Sequence, residues 1–163
     1  MHAKALVDRL RRDGLRIAVA ESCTGGLLQA TIVDVPGASD VFIGGVVVYD
    51  DDLKSDLLGV DPTLIAKHGS VSGTVAEAMA HAVREKAGSD LAVAVTGIAG
   101  PSGGTDAKPV GTVWIAALGP DEDLNVHRFI FEGDRDAIRA ASVRAALRLV
   151  MGEVDEWEKE QQI

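Results

Sequence analysis

The sequence is poor in cysteine, aromatic residues and positive charge, and each shortage excludes a class of protein. The single cysteine, Cys23, rules out an intrachain disulfide framework and fits a reducing compartment. Two tryptophans, one tyrosine and three phenylalanines leave little for a base-stacking platform. Sixteen lysines and arginines against twenty-five aspartates and glutamates give a net charge of −9. That sign disfavours direct binding to nucleic acid or to an anionic membrane, while leaving room for a local basic pocket. The four histidines, His2, His68, His81 and His127, are scattered, and neither HExxH nor CxxC occurs, so no protein-built zinc site is expected. Apolar runs are only strand-length, short of the roughly 20 residues of a spanning helix. Charges interrupt MHAKALVDRLRRDG where a signal core would lie. The chain is therefore expected to be soluble and cytoplasmic.

What remains is ample for a core. The 163 residues correspond to one domain. A hydrophobic content of 47% excludes disorder. Ala3, Leu6, Val7 and Leu10 predict an amphipathic helix over 3–13, closed by Gly14. Ile17–Ala20 is a buried strand, followed by a helix over 26–33 that Pro36-Gly37 breaks. Val41–Tyr49 is a second strand and 50–58 a short helix. Asp61-Pro62 opens another helix as N-cap and first position, ending at His68-Gly69. Ser72 caps a helix over 73–87 with Val75, Ala78, Met79 and Ala82 inward. Leu91–Val95 is a third strand. Thr112–Leu118 and Val126–Phe131 form an antiparallel pair. Asp134 opens a last helix with Ala137, Ile138, Ala141, Ala145 and Leu149 inward. The acidic stretch 153–163 is either a solvated helix end or frayed. Alternating strands and helices predict an α/β fold with helices on both faces of a mixed sheet.

Three strand ends concentrate reactive and flexible residues, where open α/β sheets place ligands. The first is Glu21-Ser22-Cys23-Thr24-Gly25-Gly26. Its glycines admit a ligand close to the backbone, and N–H groups at a helix start suit an anion or oxyanion. Its plainer reading is a helix cap by Ser22 or Thr24. Cys23 rivals Ser22 as nucleophile, against the alternative of a small buried hydrophobe. The second is Tyr49-Asp50-Asp51-Asp52-Leu53-Lys54. A lysine in a desolvated site beside a hydroxyl nucleophile can serve as its base. The three aspartates read most simply as first-turn acids of a helix. The third is the loop Thr96-Gly97-Ile98-Ala99-Gly100-Pro101-Ser102-Gly103-Gly104-Thr105. It is neither a Walker loop nor a dinucleotide fingerprint, and a loop of that length is commonly functional. Arg135 and Arg139 stand against the dipole of the last helix. That points to an anionic ligand for Arg135, or to ordinary pairing with Asp134 or Asp136.

Together these segments resemble the CinA C-terminal domain family, the nicotinamide mononucleotide deamidases. The resemblance is carried by AESCTGGLL (20–28), GGVVVYDDDLKSDLLGV (44–60), GSVSGTVAEAMA (69–80), VTGIAGPSGGTDAKPVGTV (95–113) and FEGDRDAIR (131–139). The chain departs from the family pattern at Asp51 and at Ser102. The resemblance implies a three-layer α/β/α sandwich with a mixed, mostly parallel sheet of about five strands, in a single domain over 1–163. It implies hydrolysis of the nicotinamide carboxamide to nicotinic acid mononucleotide and ammonia. Ser22 matches the family's nucleophile, with Lys54 and Tyr49 as its helpers. Thr96, Gly97, Gly100 and Arg135 match its ligand-binding positions, to which our reading of the loops adds Thr24, Gly25, Gly26, Gly103 and Gly104. No metal or organic cofactor is implied. A free-standing domain and a homo-oligomer, a dimer, are. Other classes stay open: a non-catalytic nucleotide- or pterin-binding module, a partner protein of competence and recombination, or an amidohydrolase on another small amide.

Overall fold

The structure, a computed structural model, describes residues 2–162. Helix α1 (His2–Asp13) buries Ala3, Leu6, Val7 and Leu10 and places Arg11 and Arg12 in its last turn, where cations suit the helix dipole. Five strands follow: β1 (Ile17–Glu21), β2 (Phe42–Val47), β3 (Leu91–Gly97), β4 (Thr112–Leu118) and β5 (Leu124–Ile130). They form one sheet in the order β2-β1-β3-β4-β5. β1 lies parallel to β2 and β3, whereas β4 runs antiparallel to β3 and β5. The connecting helices are α2 (Leu27–Val33), α3 (Asp51–Asp56), α4 (Pro62–His68) and α5 (Gly73–Ala87), and α6 (Arg135–Gln161) ends the chain's regular structure. The expected three-layer α/β/α sandwich on a mixed sheet is the fold adopted.

Side-chain alternation along the central strands decides which helix packs where. Ile17, Val19, Leu91, Val93 and Val95 face one core with Leu6, Leu28 and Ile138 of α1, α2 and α6. Ala18, Ala20, Ala92 and Ala94 face the other, against Val75, Met79 and Val83 of α5. The small residues on that side let α5 lie close to the sheet. Side-chain caps start four helices at the expected kinds of residue: Asp50, Asp61, Ser72 and Asp134 each accept an N–H of the first turn.

Several boundaries differ from the sequence reading. β2 stops at Val47 rather than Tyr49, because its partner β1 ends at Glu21, whose carbonyl accepts the Val48 N–H at 2.8 Å. β3 continues to Gly97, since β4 pairs with it that far. β5 begins at Leu124, opposite Leu118. In α6, Ala137 is exposed, and Ala141 and Leu149 are only half-buried. α6 packs on β3, β4, α1 and α2 together and so buries a different, wider face, from Ile138 through Ser142, Val143 and Ala146 to Val150 and Val154. Residues 153–161 are helical, and Arg9 of α1 binds Asp155 and Glu158 there.

Among the described residues no helix is long and apolar enough to cross a membrane. One buried polar atom in the sheet invites a stability test. Thr112 Oγ1 is buried and has no hydrogen-bond partner among the described residues. Thr112→Val removes that desolvated hydroxyl and keeps the branched shape of a strand residue. We expect a gain of about 1 kcal/mol, seen as a Tm roughly 2–4 °C higher in a thermal melt. A lower Tm would mean that the hydroxyl has a partner in solution.

Candidate active site

The chain leaves β1 for β2 on one side, while β3, next to β1, leads to β4 on the other. A crevice therefore opens beyond the carboxyl ends of β1 and β3, the usual ligand position in an open α/β sheet. A cavity of about 300 Å³ occupies it. The end of β1 supplies Ser22 and Cys23, the end of β3 supplies Thr96 to Gly100, and Tyr49, Asp51 and Lys54 come from beyond β2. Ser102, Gly103 and Arg135 complete it on the far side.

Of the residues singled out in the sequence, Ser22, Tyr49, Lys54, Thr96, Gly97, Gly100, Gly103 and Arg135 line this one cavity. Thr24, Gly25, Gly26 and Gly104 stand outside its lining. Gly25 N–H donates to Ser22 O at 3.0 Å, and Gly26 N–H donates to Glu21 Oε2 at 3.1 Å. Ser70 and Val71, in the turn before α5, line the cavity without having been singled out. The small-residue run 69–73 was the available signal.

Lys54 is 1% exposed, the only buried residue of α3. Its ammonium donates to Tyr49 O at 3.3 Å and to Asp51 Oδ1 at 3.2 Å. Asp51 is half-exposed, so the ion pair spans the boundary between the buried slot and solvent. Tyr49 links two parts of the site. Its carbonyl holds Lys54, and its hydroxyl accepts from Arg135 Nη2 at 2.8 Å. That hydrogen bond is the main reason the Arg135 guanidinium is held above its ordinary pKa. Arg135 Nη1 also donates to Gly100 O at 2.7 Å and so anchors the glycine-rich loop. Thr96 Oγ1 donates to Ser70 O at 2.8 Å and fixes the opposite wall.

The two nucleophile candidates separate here. Cys23 is 4% exposed and packs in the core, and burial pushes its thiol up to about 12. At neutral pH it is therefore an un-ionised small hydrophobe. Ser22 Oγ carries no such restriction, since a serine needs a base rather than ionisation in advance. Backbone N–H groups at the strand ends also face the crevice or its neighbours. Ile98 N–H donates to Thr112 O at 2.8 Å. Successive N–H groups of a strand alternate sides, so the Gly97 N–H points the other way, toward the end of β1 at Ser22. A Cβ at Gly97 would come within 2.8 Å of Thr112 O, so a larger residue would push β4 away from this wall.

Glu21 stands next to Ser22 in the sequence. It is a structural acid with no salt bridge among the described residues: fully buried, its carboxylate accepts N–H groups of Gly26, Leu28 and Gln29 at 3.1, 3.0 and 2.8 Å. Those donors are consumed, which closes the start of α2 to an incoming anion.

Comparison with known proteins shows the family and the fold. A sequence model of the CinA C-terminal domain matches residues 1–154. A CinA-like protein of Geobacter sp. strain M21 is 54% identical over 138 residues, covering 85% of this chain and 33% of that protein. A CinA-like protein of Myxococcus xanthus is 45% identical over 149 residues, covering 91% and 35%. The chain thus spans about a third of the length of the curated relatives it matches. Among solved structures, a competence-damaged protein (CinA) superfamily protein of Klebsiella pneumoniae superposes with TM-score 0.91 at 33% identity, covering 96% of this chain and 97% of that one. The competence/damage inducible protein CihA of Agrobacterium tumefaciens gives TM-score 0.88 at 38% identity, covering 93% and 95%. With a model match over nearly its whole length and solved relatives of the same topology, the chain belongs to the CinA C-terminal domain family.

Proposed function

We propose that this protein hydrolyses the carboxamide of nicotinamide mononucleotide, giving nicotinic acid mononucleotide and ammonia. The observation that carries the reading is the convergence of the Ser22 hydroxyl, the buried Lys54 amine and the Arg135 guanidinium on one cavity at the switch point of the sheet. A volume of about 300 Å³ is at the small end of ligand cavities and suits a mononucleotide-sized guest. Ser22 Oγ attacks the carboxamide carbon while Lys54, in its neutral form, takes the serine proton. Charge developing on the carboxamide oxygen is met by Gly97 N–H, one such donor being worth about 2.7–4 kcal/mol. The tetrahedral adduct collapses by breaking the C–N bond, with the lysine proton leaving on ammonia. Water then attacks the acyl-serine, and Ser22 recovers its proton as the acid is released. Arg135 and the loop 100–103 hold the phosphate.

A second reading has its own support in the Lys54–Asp51 ion pair. With its ammonium engaged by that carboxylate and by Tyr49 O, the lysine serves as a structural anchor, and the cavity would then serve a non-catalytic nucleotide-binding module. Incubation with nicotinamide mononucleotide, with ammonia and the pyridine product quantified together, separates the two. The deamidase reading expects equimolar ammonia and nicotinic acid mononucleotide. Calorimetric binding without either product would replace it with the binding module.

A further inference from the structure

Ser22 begins a turn whose own main-chain bonds, Ser22 N–H to Val95 O and Gly25 N–H to Ser22 O, fix its first part but not the two glycines that end it. Gly25 and Gly26 both have positive φ, +59° and +94°, so two consecutive residues are left-handed just after the proposed nucleophile. Thr24 Oγ1 is buried there without a hydrogen-bond partner among the described residues. Two charged side chains outside the cavity lining grip this turn from opposite polarities. Glu21 takes N–H groups on its helix side, as described above. On its carbonyl side, Arg139 of α6 donates from Nη2 to Thr24 O at 2.9 Å, an oxygen that also accepts Leu27 N–H at 3.2 Å. Arg139 is 28% exposed, and Asp136 lies 3.8 Å from its Nη1. Its cationic head stands in the second turn of α6, against the helix dipole. The gain that offsets this placement is the Thr24 carbonyl. Arg135, one turn earlier, does the same for Gly100 O. The first two turns of α6 thus hold both loops of the site, the glycine-rich loop through Arg135 and the nucleophile turn through Arg139.

We propose that Arg139 and Glu21 are positioning residues that fix the Ser22 hydroxyl for attack, Arg139 through the Thr24 carbonyl and Glu21 through the start of α2. The proposal rests on the deamidase reading for its substrate but not for its geometry. Arg139→Met keeps the packing stem on a partly exposed helix face and removes only the polar grip. Misplacing a reacting group by about 1 Å costs on the order of 100-fold in rate. For Arg139→Met we expect a ten- to hundredfold loss of kcat on nicotinamide mononucleotide, KM within twofold of wild type and a nearly unchanged Tm. Arg139→Lys, which can still reach the carbonyl, recovers most of the loss. Glu21→Gln, which keeps one acceptor oxygen, shows a kcat loss in the same direction. A fluorophosphonate phosphonylates a positioned serine, the Oγ–P bond forming as the P–F bond breaks and the hydroxyl proton passing to the base, and so provides a readout independent of the amide substrate. Its rate of labelling Ser22, read by intact mass, falls in parallel with kcat. Wild-type labelling without ammonia release would sink the deamidase reading, while the comparison of labelling rates still decides this one. Equal labelling in wild type and Arg139→Met overturns the positioning role, as does a wild type whose Ser22 is not labelled. A kcat loss that follows Tm and is not restored by Arg139→Lys also overturns it.

Discussion

Ser22→Ala is expected to lower ammonia release from nicotinamide mononucleotide by at least about 10⁴-fold, with Cys23→Ala within threefold of wild type. Removal of a nucleophile from an enzyme that proceeds through an acyl intermediate leaves only the contribution of binding and oxyanion donors. Ser22 is held by its main chain, its N–H donating to Val95 O at 2.9 Å and its carbonyl accepting Gly25 N–H. Loss of the hydroxyl therefore leaves the turn in place, and the substrate still binds. Cys23 is the necessary control because it is the neighbouring residue and lines the same cavity. With its thiol pushed up to about 12, fewer than about one molecule in 10⁴ carries a thiolate at pH 7.5. Cys23→Ala removes core volume instead, and a Tm a few degrees lower is its expected signature. A dead Cys23→Ala beside an active Ser22→Ala would exchange the two roles. Full activity in both would remove covalent catalysis from the site altogether.

The sequence was most legible where the physics is local. Asp61, Ser72 and Asp134 begin their helices because a short side-chain oxygen satisfies a first-turn N–H, whatever the rest of the chain does. β1 and β3 read as buried runs because both faces of a central strand are covered. The cavity was partly legible for the same reason: small and reactive residues at strand ends are brought together by the sheet itself. What sequence could not reveal depends on partners far along the chain. Glu21 looked like an acid next to a serine, and only folding brings the N–H groups of Gly26, Leu28 and Gln29 onto its carboxylate. Thr24 looked like a binding hydroxyl, yet its carbonyl is what Arg139 reaches across 115 residues. The end of β2 depends on where β1 stops pairing, which no property of Val48 or Tyr49 encodes. The inward face of α6 depends on four elements packed against it at once, so helical periodicity alone placed Ala137 on the wrong side.

Lys54→Met is expected to reduce kcat by about 10²–10⁴-fold, the usual worth of a general base, at little cost in substrate affinity. The substitution keeps a flexible apolar stem in a slot where Lys54 is 1% exposed, and it removes the amine. The stability consequence runs opposite to the catalytic one. Taking an ammonium out of water is costly, and Asp51 at 3.2 Å is its one acidic partner there, itself half in solvent. Replacing the charge with a methionine of similar volume is therefore neutral or stabilising, because the Asp51 carboxylate left behind is still hydrated. A Tm equal to or above that of wild type, together with the kcat loss, would assign Lys54 to chemistry rather than to folding. A lysine serving only as the structural partner of Asp51 would give the reverse pair of results, a lower Tm with turnover preserved. Asp51→Asn completes the argument, since it retains a polar acceptor beside Lys54 and removes the paired carboxylate charge. If the amine acts as the base, Asp51→Asn maintains kcat while Lys54→Met lowers it by that factor. If both variants turn over like wild type, the proton of Ser22 goes elsewhere and the base assignment fails.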